Sequence, residues 1–243
     1  MSSALGSRGC FPTGRHYPGI AHLIRISDEG LASAWDAGTP VLDMPWIAID
    51  TETTGRNAGE HRIVEVGCVV FERGVVSERH SWLINPECPI PEEASAVHGI
   101  TDADVAEQPN FAAVAAEIAV VLGRGVPLAY NAEFDQGFIH FEFERLGEAS
   151  PTLALARSTV WLDPLSWARE LQKEHKSRAL GEVCERLGIR LERAHRATDD
   201  AEAAGHVLAA FVRDQRVPAR YGAFVKEQKR LERLFEFERV RWR

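Results

Sequence analysis

Short apolar blocks separated by turn residues run through residues 46–84 and predict three consecutive strands, at 46–50, 63–71 and 75–84, with a turn at Glu72-Arg73-Gly74. Downstream the period changes. Residues 110–122 and 134–146 repeat apolar positions every three or four residues, as a helix with one buried face does, and Phe134, Phe138 and Phe141 mark that face in the second. Residues 126–130 and 159–162 read as short strands. Residues 164–172 read as a helix with Pro164 at its first position, 179–187 as a helix ended by Gly188, and 198–213 as another. Thr101 with Asp104 marks a further helix start. The order β-β-β-α-β-α-β-α makes this an α/β chain with five strands.

The two ends carry different patterns. Residues 1–45 form an N-terminal extension. Its first nineteen residues are rich in Gly, Ser and Pro, include Arg8 and Arg15 but no acid, and lack the apolar core of a secretory signal, so a flexible tail is expected. Ser27-Asp28-Glu29 would cap a short helix running to Trp35 and ended by Gly38-Thr39-Pro40. Residues 214–243 read as a charged helical tail with Phe224, Leu231, Leu234 and Phe235 near one face. That face either packs back on the domain or docks a partner, and the net-basic tail could also touch a nucleic-acid backbone.

A chain of 243 residues with 45% hydrophobic content can bury one sizeable core, assigned to residues 46–213. A net charge of −8 offers nucleic acid no long-range attraction, so binding would have to come from a local groove and bound metal. Cys10, Cys68, Cys88 and Cys184 show no C-x-x-C spacing, which argues against a zinc cluster and fits free thiols in a reducing cytoplasm. No apolar stretch is long enough to span a bilayer.

The chemistry concentrates where strands end. Asp50-Thr51-Glu52-Thr53-Thr54-Gly55 follows the apolar run Trp46-Ile47-Ala48-Ile49. Side chains alternate along a strand, so Asp50 and Glu52 share one face while Ile47 and Ile49 take the other. Two carboxylates that close disfavour each other's ionisation unless a cation sits on them, and hard oxygen ligands suit Mg²⁺ or Mn²⁺. Asn131-Ala132-Glu133-Phe134-Asp135 opens a helix after a short strand, and His195-Arg196-Ala197-Thr198-Asp199-Asp200 opens another. Five helical residues would turn His195 about 140° away from Asp200. His195 is therefore expected in the loop before the helix, with Thr198 as N-cap and Asp200 in the first turn.

D-x-E-T-T-G, N-A-x-F-D and H-x-A-x-x-D, in this order, resemble the DEDDh 3′→5′ exonucleases, the DnaQ-like family that includes proofreading epsilon subunits of bacterial DNA polymerase III. The resemblance implies a mixed five-stranded RNase H-like sheet flanked by helices. It implies Asp50, Glu52, Asp135 and Asp200 as carboxylates holding two Mg²⁺ or Mn²⁺ ions, His195 as general base, and Thr53, His98 and Asn131 beside the substrate. His98 stands in a segment resembling the family's H-G-I-T, while Tyr130 stands where the family usually has His. The implied substrate is single-stranded DNA or a frayed 3′ end. RNA trimming by the same residues and a non-catalytic scaffold are the alternatives, and a polymerase is a possible partner. Because all five catalytic positions precede Pro218, a cut after Arg216 is expected to leave the site assembled.

Overall fold

The computed structural model describes residues 30–32, 35–147, 152, 155–191 and 195–241. The first nineteen residues, Cys10 and the cap at residues 27–29 lie outside them. Residues 30–32 and 35 are not helical, so the helix expected to reach Trp35 is not found among the described residues.

The sheet is built on β1 (Trp46–Thr53), which pairs antiparallel with β2 (Ile63–Glu72) and parallel with β4 (Val126–Leu128); β3 (Val75–Leu83) pairs with β2, giving the order β3-β2-β1-β4. Nine of the ten β2 residues are buried, which is why its sequence is a continuous apolar run rather than an alternation. The edge strand β3 is polar and mostly exposed. Arg73 and Gly74 both take positive φ, 54° and 73°, the conformation that a tight two-residue hairpin requires.

Two helical layers cover the sheet. Ile47 and Ile49 face α3 (Phe111–Leu122) and α4 (Ala132–Arg145). Trp46 and Ala48 face α5 (Pro164–Leu171), α6 (Leu180–Leu187), α7 (Ala197–Phe211) and α8 (Tyr221–Arg241). Two short helices, α1 (Glu92–His98) and α2 (Asp102–Val105), close the end of β2 around Val64. Thr101 starts α2 as expected, its N–H and hydroxyl both donating to the Asp104 carboxylate at 2.8 and 2.6 Å.

Four expectations need correction. The described sheet has four strands, not five: residues 159–162 contribute one parallel bridge, Leu128 to Leu162. The reason lies in the partner strand, because β4 spans only three residues, its centre is Pro127, and proline has no N–H to extend a ladder. On α4, Phe141 is 38% exposed, whereas Phe143 is buried edge-on against Phe111; the buried face is Asp135, Phe138, Ile139, Glu142 and Phe143. Thr198 is not an N-cap, since α7 begins at Ala197 after Arg196.

The fourth correction concerns the cut after Arg216: the C-terminal helix packs back on the domain, one of the two readings of the tail, and the site leans on it. Tyr221, Phe224, Val225 and Leu231 are buried, and the Phe224 ring lies 4.7 Å from that of Trp167. Gln228 accepts from the Asp163 N–H at 3.0 Å and donates to the Trp161 carbonyl at 2.9 Å. Truncation after Arg216 therefore removes core side chains and the bonds that fix residues 161–163, so the truncated chain is not expected to keep an intact site.

Candidate active site

Asp50 and Glu52 leave the end of β1 on the face that α7 covers. Asp135 comes from the first turn of α4 and Asp200 from the first turn of α7, so both helical layers deliver an acid to the same strand end. Each is tied down. The Asp135 Oδ1 accepts from the Thr51 N–H at 2.9 Å and from its hydroxyl at 2.8 Å. Asn131, in the left-handed region at φ 73°, turns the chain from β4 into α4, and its N–H donates to Asp163 at 3.0 Å. The Asp200 Oδ2 accepts from the His195 N–H at 2.9 Å, which closes the turn ahead of α7. That turn lies close to β2: a Cβ on Gly67 would fall 2.3 Å from the Ala197 carbonyl carbon, so only glycine fits there.

The four acids perturb one another. Burial, followed by the charges of Asp135, Asp200, Glu52 and Glu65, holds the Asp50 carboxyl well above the usual range. Burial and the Asp200, Glu65 and Asp135 charges push Glu52 up to about 8, opposed by Arg196. Asp135 rises to about 7 through burial, against the pull of its Thr51 hydrogen bonds. Burial also raises Asp200, partly offset by His195. One ligand atom from each of Glu52, His195 and Asp200 lies within 4.8 Å of the other two. A buried cluster of this charge calls for a cation, and its all-oxygen acid set with one imidazole nearby suits a hard divalent ion.

His195 sits in the loop before α7, exposed and with φ 65°, as the spacing predicts. His98 ends α1, buried; its Nδ1 accepts from the Ile100 N–H at 3.1 Å and its Nε2 has no hydrogen-bond partner. Burial lowers its pKa, and Thr53, Glu65 and His195 are among the groups that act on it, so it belongs to this region. The Thr53 hydroxyl donates to the Gly55 carbonyl at 2.6 Å. Asn131 is exposed at the start of α4.

Two residues at the site escaped the sequence reading. Glu65 faces Glu52 across the β1–β2 ladder, and an acid set inside the apolar stretch of residues 63–71 was the available signal. Asp163 caps α5 by accepting from the Leu165 N–H at 2.9 Å, and acts electrostatically on Asp135; an acid directly before Pro164 was its signal.

Together with the family match, this fold is that of a 3′→5′ exonuclease, a hydrolase of phosphodiester bonds. Residues 47–208 match the exonuclease family RNase_T, and the chain belongs to that family. It is 34% identical over 190 residues to the DNA polymerase III PolC-type of Halalkalibacterium halodurans and 29% identical over 190 residues to that of Bacillus subtilis. Each alignment covers 78% of this chain and 13% of the polymerase. Among solved structures, Exonuclease I of E. coli with a dT13 oligonucleotide superposes with a TM-score of 0.62 at 21% identity, covering 71% of this chain and 42% of that one. Exonuclease X with 5′ overhanging duplex DNA gives 0.55 at 23% identity, covering 72% and 95%. These two likenesses establish the fold.

Proposed function

We propose that the protein removes nucleoside monophosphates from the 3′ ends of single-stranded or frayed DNA, with two Mg²⁺ or Mn²⁺ ions held by Asp50, Glu52, Asp135 and Asp200. The observation that carries this reading is the convergence of four acids at one strand end, with Glu52 pushed up to about 8 against the opposing charge of Arg196. When bound, such ions activate water and neutralise charge on the phosphate being cleaved. The chain's own residues do the rest. His195, held at the mouth of the cluster by the bond from its N–H to Asp200, takes the proton from the attacking water. Thr51 orients the Asp135 carboxylate, leaving its second oxygen free of those bonds. Thr53, His98 and Asn131 are the proposed contacts for the terminal nucleotide, with His98 buried beside Thr53 and acting from beneath the surface.

Single-stranded DNA is favoured as substrate because the Exonuclease I neighbour holds such a strand. A second reading, work beside a polymerase, is favoured by the PolC-type relatives. The described cysteines, Cys68, Cys88 and Cys184, are free, which supports a reducing, cytoplasmic setting. No helix among the described residues is long and apolar enough to cross a membrane. The test is degradation of matched DNA and RNA oligomers, labelled to follow shortening from the 3′ end, with Mg²⁺, Mn²⁺ or EDTA. Metal-dependent loss of 3′ nucleotides from DNA supports the reading; faster RNA trimming moves the substrate to RNA, and no degradation under any condition leaves the scaffold alternative. Pull-down of a polymerase by the full chain tests the second reading.

A further inference from the structure

Glu65 is 1% exposed, yet it is not one of the acids lacking a counter-charge. Arg196 donates to it through Nε at 3.2 Å and Nη2 at 2.7 Å, the Ala197 N–H donates at 3.3 Å, and the Ser81 hydroxyl donates at 3.3 Å. Three of those four bonds come from the two residues directly after His195. The chain at His195 is left-handed, a conformation costly for a residue with a Cβ and kept only where its surroundings enforce it. Asp200 holds that turn from the helix side through the His195 N–H. Glu65 holds it from the sheet side.

We propose that Glu65 and Arg196 are positioning residues: their forked ion pair fixes the turn between β2 and α7 so that the His195 imidazole stays beside Glu52 and Asp200. The inference rests on the reading of His195 as the general base. It also explains why a buried acid interrupts β2, and why a Cβ-free residue, Gly67, lies two positions on, where the strand meets the backbone of Ala197.

The experiment is a double-variant cycle on the full chain, reading kcat and KM on a 3′-labelled single strand at saturating Mg²⁺. A misplacement of about 1 Å costs on the order of 10²-fold in rate, so Glu65→Gln and Arg196→Met should each lower kcat ~10–100-fold, with KM moving less than about twofold. Arg196→Lys, which keeps the charge but not the fork, should recover part of the loss. In a His195→Ala background, Glu65→Gln should cost less than about twofold further, because the group it positions is gone. A full multiplicative loss in the double variant overturns the positioning role while leaving His195 as base. A His195→Ala rate within about threefold of wild type overturns both readings. If Glu65→Gln does not fold, Arg196→Met carried through the same cycle decides.

Discussion

Helix α4 buries two acids, Asp135 in its first turn and Glu142 about two turns later. Their surroundings are opposite. Glu142 accepts from Arg62 Nε at 2.8 Å and Nη2 at 3.1 Å, from the Ile63 N–H at 3.3 Å, and pairs with Arg145 at 3.2 Å. Asp135 accepts from the Thr51 N–H and hydroxyl, both neutral donors, and lies in a cluster with three further acids. The chain supplies its own positive charge at one end of the helix and withholds it at the other. Glu142 is thereby a structural clamp between α4 and the start of β2, and Asp135 belongs to the cluster for which a bound cation is proposed. Glu65 falls on the Glu142 side of this division: it is buried beside the cluster but already paired with Arg196.

Breaking the uncompensated end should hurt activity most. Asp50→Asn, Glu52→Gln or Asp200→Asn each removes a proposed metal ligand at nearly constant volume; since bound ions would supply several kcal/mol of charge stabilisation, the rate should fall by roughly 10³-fold or more, measured on a 3′-labelled single strand. Near wild-type turnover in any of them would remove the metal assignment. Next in size, His195→Ala should slow turnover by roughly 10²–10⁴-fold, with partial recovery at high pH as hydroxide replaces the base.

The compensated end should respond in stability instead. Glu142→Ala leaves Arg62 buried in part without its partner and should cost about 3–5 kcal/mol in urea unfolding, while folded molecules keep kcat within a few-fold. Loss of rate without loss of stability would put Glu142 in the site and erase the contrast. The smallest effect is a pH slope. Glu52 at about 8 and Asp135 at about 7 lie above the ordinary 4.5 and 3.8 that the unfolded chain restores, so between those values the folded state binds more protons. In chelator, the melting temperature should therefore fall as pH rises from about 5 to 8, and Glu52→Gln should flatten the slope. A slope of opposite sign would contradict the account of the cluster.

Much of this was legible in the sequence because local rules and tertiary packing agree. The D-x-E pair alternates off β1 as strand geometry demands, and His195 occupies the loop that its spacing from Asp200 requires. Legibility failed where the signal was non-local. Helix α1 is largely exposed and has no apolar period; Pro91 before it and Gly99, left-handed at φ 73°, after it were its marks. The strand at residues 159–162 shrank to a bridge because its partner is a three-residue strand centred on Pro127, which no reading of 159–162 alone contains. Glu65 and Arg196 are far apart in sequence, and only the close approach of β2 to α7 at Gly67 brings them together.

The proposal tested most directly is that Asp50, Glu52, Asp135 and Asp200 bind a divalent cation. Thermal unfolding of the metal-free chain at about pH 8, titrated with Mn²⁺, reads it directly, since a ligand that binds only the folded state raises the melting temperature with its concentration. The account predicts a saturable rise for the wild type, little or none for Asp50→Asn and Asp200→Asn, and an undiminished rise for a variant of the exposed Phe141 such as Phe141→Ser. An equal rise in the acid variants, or none in the wild type, would contradict it.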